Sequence, residues 1–192
     1  MKDLRAVILA AGKGTRMKSD LPKVVHTIEE KCLADYVIDA AVGAGAEEIC
    51  LVVGYKYEIV HERIAHKDVT FILQEEQLGT GHAVLCARDF LGDTGYTMIL
   101  FGDTPLIRAK TLKRLFEYHT VHQNTVTVLS AMVDDPTGYG RIIRDASGTF
   151  VKSVEHKDAS KEELLSHEIN SGMYIFDTKE LRQALEQIQP NN

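Results

Sequence analysis

Long hydrophobic runs are missing from this sequence, and so is a surplus of positive charge. The longest apolar stretches fall far short of the roughly 20 residues that a membrane helix needs. Met1-Lys2-Asp3 leads straight into a strand-like segment, without the apolar centre of a signal peptide. Lysine and arginine number 22 against 28 aspartates and glutamates, a net charge of −6. Nucleic-acid readers carry a basic face, so this balance argues against a polyanion-binding surface. The expectation is a protein with neither membrane nor nucleic acid as partner. Cysteine is scarce as well. Cys32, Cys50 and Cys86 are odd in number and widely spaced, which fits core positions in a reducing, cytoplasmic setting better than a disulfide framework.

Several site signatures are also lacking. No glycine is followed, after four residues, by Gly-Lys-Ser/Thr, so there is no P-loop octet. After Gly12 and Gly14, the third position of a dinucleotide fingerprint is Met17, and Pro22 interrupts the helix that should follow. The stretch "HERIAH" (His61–His66) has one residue too many for H-E-x-x-H. At about 100° per residue its second imidazole rotates well off the first. His119 and His122 are three apart on a polar helix end, a spacing open to a ligand pair but more simply a solvated face. No Ser/His/Asp set and no activated cysteine stands out.

What is present is an ordinary globular composition, 44% hydrophobic and 26% charged over 192 residues, enough to bury a core. Short aliphatic runs alternate with helical stretches. Strands are predicted at Leu4–Ala10, Ile49–Val53, Val69–Leu73, Thr97–Phe101 and Thr125–Val133. Helices are predicted at Leu33–Val42, Glu58–Ile64, Ala83–Arg88 and Ala109–His119. Such alternation with few hairpins implies an α/β, Rossmann-like fold, a mostly parallel central sheet with helices on both faces. The pattern then changes. Arg141–Arg144 and Thr149–Val154 flank the turn Asp145-Ala146-Ser147-Gly148 and read as a hairpin. A strand at Ile169–Phe176 and a helix at Thr178–Ile188 follow. The second half is expected to form a small β-rich lobe within one domain covering residues 1–192, building one wall of a pocket.

Ligands of such sheets bind beyond the carboxyl ends of the strands. The loop after Ala10, within "LAAGKGTRMKSDLPK" (Leu9–Lys23), carries Gly12, Gly14, Arg16 and Lys23. Glycines allow close backbone approach, and clustered cations suit an anion such as phosphate. Taken alone, a solvated basic turn explains the loop equally well. Asp103 ends a buried strand, where a carboxylate can hold a metal or cap the turn before Pro105. Gln74 follows the third strand. Its amide has a donor and an acceptor, as the N3–H and O4 of uracil require, although an isolated loop glutamine is ordinarily solvated. Gly138, Tyr139 and Gly140 permit close approach, while Glu155 and Asn170 offer acceptors and donors to hydroxyl and acetamido groups.

The first loop resembles the signature of the sugar-phosphate nucleotidyltransferases. "SDLPKVVH", "QLGTGHA", "FGDTPL", "GYGRI", "VEHKDAS" and "EINSGMY" follow in order. Together they look like the uridylyltransferase domain of the GlmU type over nearly the whole chain. "EEKCLADY" stands where that family usually has Gly-x-Pro-Met-Leu. The resemblance implies the nucleotide-diphospho-sugar transferase fold. It implies that Leu9, Ala10, Ala11, Gly12, Gly14 and Lys23 contact substrate, with the glycine amides holding the triphosphate and with Arg16 and Lys23 as catalytic cations. Gln74, Gly79 and Thr80 would recognise the base. Phe101, Gly102 and Asp103 would contact substrate, with Asp103 as a ligand of Mg²⁺. Gly140, Glu155 and Asn170 would surround an N-acetylglucosamine ring.

The implied reaction joins UTP and N-acetylglucosamine-1-phosphate into UDP-N-acetylglucosamine and pyrophosphate, for cell-wall precursor synthesis. A phosphate oxygen is the nucleophile, so alignment and charge relief are what the protein must supply. The family's second metal ligand, an asparagine, and its β-helix acetyltransferase domain would lie beyond Asn192. The expectation is therefore a truncated, weakly active or inactive form of an enzyme whose full-length family is trimeric, with this fragment expected as a monomer. Rival readings are a related nucleotidyltransferase with another base or sugar, a non-catalytic nucleotide-sugar sensor, and an NAD-dependent oxidoreductase. The missing fingerprint glycine counts against the last.

Overall fold

The computed structural model describes residues 3–14, 17 and 19–188. They fall into two compact units: the described residues up to Thr127 together with the segment from Ile175, and Val128–Tyr174. In chain order the first unit carries β1 (Leu4–Leu9), the short strands β2 (Thr27–Ile28) and β3 (Lys31–Cys32), and α1 (Leu33–Ala44). Then come β4 (Glu48–Val53), α2 (Tyr57–Ile64), β5 (Thr70–Leu73), α3 (Thr80–Cys86), β6 (Tyr96–Phe101) and α4 (Ala109–His122). The strand β7 (Val126–Met132) leads into the second unit, which holds β8 (Arg141–Arg144) and β9 (Phe150–Val154). The chain leaves it along β10 (Glu168–Asp177) and ends in α5 (Thr178–Leu185).

The first unit has the order β5-β4-β1-β6, all parallel. This is the expected parallel sheet, and its strands are aliphatic because both faces are covered. Side chains alternate across the pleat. Val7 and Leu9 of β1, Cys50 and Val52 of β4 and Ile99 of β6 share one cluster with Ala83, Val84 and Ala87 of the α3 segment and Leu181 and Leu185 of α5. Ala6, Ile8, Leu51 and Leu100, equally buried, take the opposite parity, and α1 packs against β1 and α4. The helices begin and end where local chemistry directs. The Asp35 carboxylate accepts from Cys32 N–H at 3.0 Å at the start of α1, and Gly45 closes it at a φ of 100°. Asp177 caps α5 by accepting from Lys179 and Glu180 N–H at 3.0 and 3.3 Å.

The small β-rich lobe expected of the second half is the second unit. There β8 runs antiparallel to β9, with Ile142 opposite Ser153. Asp145 closes their turn by accepting from Ser147 and Thr149 N–H at 2.9 and 3.0 Å. Across β8 lies β10, with Ile169 opposite Arg141. Glu168 is anchored by Arg144 at 2.7 and 2.8 Å and by the Ser130 hydroxyl at 2.6 Å.

Two readings of the sequence change. The β2–β3 hairpin was not predicted, because its turn residues Glu29 and Glu30 adopt φ of 49° and 69° without the glycine or asparagine that usually marks such a turn. His119 and His122 form neither a ligand pair nor a shared solvated face. His119 is fully buried, and its Nδ1 lies 2.9 Å from the Thr127 hydroxyl, whereas His122 is exposed. The same Thr127 oxygen accepts from the Asn124 amide at 3.0 Å.

Burial holds the His119 imidazole below its ordinary value of 6.5, with Asp177 opposing weakly. A histidine depressed on folding binds fewer protons in the native state, so its contribution is present above the unfolded value and lost as pH falls through the folded one. The urea midpoint should drop on acidification from pH 7.5 to 5.5, and His119→Leu should flatten that part of the profile. An unchanged slope in the variant would remove His119 as its source.

Candidate functional site

Backbone bonds bring the carboxyl ends of the parallel strands to one rim. Leu9 is opposite Val52 on one side and Phe101 on the other. Just beyond, Ala10 N–H donates to the Val52 carbonyl at 2.8 Å and Gly102 N–H to that of Leu9 at 2.9 Å. Gln74 N–H donates to the Val53 carbonyl at 2.7 Å, and Tyr55 N–H to that of Ala11 at 3.3 Å. Gly54 sits where a Cβ would lie 3.0 Å from the Gln74 carbonyl and 3.1 Å from the Ala11 methyl. The loops carrying Ala11 and Gln74 therefore approach so closely that any side chain between them would have to push them apart by a few tenths of an ångström.

These loops surround a cavity of about 560 Å³. Of the residues expected to hold a nucleotide, Leu9, Ala10, Ala11, Gly12, Gly14, Lys23, Gln74, Gly79, Thr80, Phe101 and Asp103 all line it. Gly102, between the lining residues Phe101 and Asp103, is itself buried and does not line the cavity; a Cβ there would lie 3.1 Å from Val24 Cγ1. Arg16 lies outside the described residues. Met17, Val24, Gln77 and Ala83 also line the cavity and were not picked out, though Gln77 and Ala83 bound the "QLGTGHA" string.

The charged pair of the cavity is Lys23 and Asp103. Lys23 Nζ lies 2.6 Å from Asp103 Oδ2, with both side chains about one-third exposed (39% and 32%). Lys23 begins a 3₁₀ turn, Lys23–Val25, that buries Val24 and Val25, so its stem is fixed while its amine is free to change partner. A cation and an anion left in contact at a wetted wall can exchange each other for an incoming phosphate and a metal ion. Gly14, at φ 63°, has its Cα against the Lys23 stem.

Among the described residues no group of three or more histidine, cysteine, aspartate or glutamate side chains gathers to hold a metal. Asp103 is a lone carboxylate facing open space, a donor set that suits a hard cation also bound by phosphate oxygens and water. Cys86 is no activated nucleophile, since burial pushes its thiol up.

Gln74 departs from its sequence reading. It is 3% exposed, not solvated, and its Nε2 donates to the Gly79 carbonyl at 3.2 Å and to His82 Nδ1 at 3.0 Å. Both amide hydrogens are thereby committed. Gln74 offers a ligand its carbonyl oxygen alone, so a partner for a base carbonyl has to come from other groups on the wall.

In the second unit, Gly140, Glu155 and Asn170 are brought together. A Cβ on Gly140 would stand 3.4 Å from Glu155 Oε1 and 3.6 Å from Asn170 Cβ. Asn170 N–H donates to the Gly140 carbonyl at 2.9 Å. The Asn170 amide donates to the Tyr174 hydroxyl at 2.6 Å and the Ser153 hydroxyl at 3.1 Å, partners the sequence did not suggest. Buried Arg141 donates to the Tyr139 carbonyl and lies 3.4 Å from His156 Nδ1, which also accepts from Gly138 N–H at 3.2 Å. The Gly138–Gly140 turn is held from behind by these bonds.

A family model described as nucleotidyl transferase matches residues 5–192. The chain is 53% identical over 192 residues to the bifunctional protein GlmU of Caldanaerobacter subterraneus subsp. tengcongensis, covering all of this chain and 42% of the relative. It is 47% identical over 190 residues to that of Clostridioides difficile, covering 99% of this chain and 41% of the relative. The chain thus spans less than half the length of these curated relatives. Among solved structures, a UDP-glucose pyrophosphorylase complexed with UDP-glucose aligns with a TM-score of 0.77 at 22% identity, over all of this chain and 81% of that one. A putative glucose-1-phosphate thymidylyltransferase from Bacillus anthracis aligns with a TM-score of 0.80 at 19% identity, over 97% of this chain and 76% of that one. At such identities these two structures establish the shared fold. No helix among the described residues is long and apolar enough to cross a membrane.

A side chain at Gly14 meets two obstacles, the positive φ and a Cβ position 2.9 Å from Lys23 Cβ. Gly14→Ala should lower unfolding free energy by about 1–3 kcal/mol, read by urea denaturation. Wild-type stability in that variant would show that the loop can shift without cost.

Proposed function

We propose that this chain, which belongs to the nucleotidyl transferase family, carries the uridylyl-transferring activity of a GlmU-type enzyme. Its substrates are UTP and N-acetylglucosamine-1-phosphate, its products UDP-N-acetylglucosamine and pyrophosphate, a cell-wall precursor step in the cytoplasm. The observation that carries this reading is the gathering of Gly12, Gly14, Lys23, Gln74 and Asp103 around one cavity at the tips of parallel strands. Identities near 50% to two GlmU proteins support the choice of base and sugar.

A phosphate oxygen of the sugar attacks the α-phosphorus of UTP. The new P–O bond forms as the bond from the α-phosphorus to the bridging oxygen breaks, and pyrophosphate leaves with the electron pair. No protein nucleophile is needed. The work left to the chain is to bring two anions into line and spread their charge. The loop backbone at Gly12 and Gly14 binds the triphosphate. Lys23 exchanges its carboxylate partner for phosphate oxygens, and Arg16 adds a second cation. Asp103 is the residue that would hold Mg²⁺, which when bound neutralises phosphate charge. Gln74 and the backbone at Gly79 and Thr80 orient the base. Gly140, Glu155 and Asn170 of the second unit are assigned to the N-acetylglucosamine ring.

The test is pyrophosphate release with UTP against dTTP, and with N-acetylglucosamine-1-phosphate against glucose-1-phosphate. UTP with the N-acetylated sugar should be preferred, and Lys23→Ala should lower kcat by at least about 100-fold. Release that ignores the acetamido group would discard the sugar assignment. A Lys23→Ala enzyme with undiminished kcat would discard the charge-relief role.

A further inference from the structure

We propose that His82 sets which nucleobase the cavity accepts, by locking the Gln74 amide so that only its carbonyl oxygen faces a ligand. The inference rests on reading this cavity as a nucleotide site. His82 is a positioning residue: it touches Gln74 and acts through it.

The geometry fixes each proton in turn. A carbonyl can only accept, so the contact of 3.2 Å between Gln74 Nε2 and the Gly79 oxygen identifies the nitrogen end of the amide. That nitrogen is also 3.0 Å from His82 Nδ1. Nδ1 must therefore be the acceptor, and the imidazole carries its proton on Nε2. The Gly79 carbonyl is itself held, accepting from Ala83 N–H at 3.1 Å. Gln74 is 3% exposed, so water cannot stand in for a lost partner around most of the side chain. Turning the amide over would set Oε1 against the Gly79 oxygen, lone pair facing lone pair, and would force the His82 proton from Nε2 onto Nδ1.

The consequence for a ligand is a fixed acceptor. Uracil offers N3–H to such an oxygen. Cytosine at the same place offers the N3 lone pair and is repelled, and a site with committed polar groups rejects an unmatched partner strongly. With Nδ1 removed, only the Gly79 oxygen resists rotation. The amide can then present its NH₂ to N3 of cytosine, and discrimination falls.

The experiment measures dissociation constants of UTP and CTP by calorimetry for the wild-type chain, His82→Leu and His82→Asn. Asparagine keeps an acceptor oxygen close to the place of Nδ1. The wild type should favour UTP. The ratio of the CTP to the UTP constant should fall by about tenfold or more in His82→Leu and stay within about threefold of wild type in His82→Asn. If His82→Leu weakens both nucleotides alike, its role is structural and the proposal is overturned. If the wild type binds UTP and CTP equally, the base reading of the cavity fails and the proposal with it. A long-range ¹H–¹⁵N spectrum of the wild-type imidazole gives an answer independent of variant folding. It should show Nδ1 of His82 unprotonated, and a proton on Nδ1 overturns the assignment.

Discussion

The parallel pairing of β1 with β4 and β6, and of β4 with β5, is the constraint on which the site depends. Because Leu9 is level with Val52 and Phe101, and Val53 with Leu73, the strands deliver Ala10, Gly54, Gln74 and Gly102 to one rim. These residues come from segments with no local reason to meet. The pairing is in turn made possible by the two-sided burial of β1, whose residues Ala6, Val7 and Ile8 have no exposed surface. A slip of one residue would exchange the two faces of the strand.

Charge in the cavity is arranged for exchange more than for stability. The Lys23–Asp103 contact is short, yet both groups remain wetted, where an ion pair contributes little to the fold. Its value is that neither charge has to be created or dehydrated when an anion and a cation arrive together. Gln74 shows the opposite arrangement. Its hydrogens are spent inside the protein, and the one group it keeps for a ligand is held still. One end of the cavity can rearrange and the other cannot, a division suited to a ligand with a mobile charged tail and a rigid base.

Much of this was legible in the sequence, for identifiable reasons. The aliphatic run Leu4–Ala10 and its counterparts read as buried parallel strands because they are near-continuously apolar, too short for helices and followed by glycine-bearing loops. The hairpin at Asp145–Gly148 was visible through its turn residues. The β2–β3 turn was not, since Glu29 and Glu30 give no sign of a positive φ. His119 read as surface because its helix is polar around it. Its partners, the Thr127 hydroxyl and the Tyr96 ring, come from neighbouring strands and not from its own helix. The contact between Lys23 and Asp103 spans 80 residues, and no local spacing encodes it. The partners of Gln74 lie within a motif already singled out, but a motif states which residues are near and not which atoms are used.

The gap at Gly54 has a wider implication. A methyl at Gly54 would enter only if the Ala11 and Gln74 loops gave by a few tenths of an ångström, so backbone thickness largely sets the width of the inner edge of the cavity. Such an edge resists gradual enlargement, because each added atom has to push two backbones apart. Divergence towards another ligand would have to proceed through the groups projecting from it, leaving the gauge itself untouched.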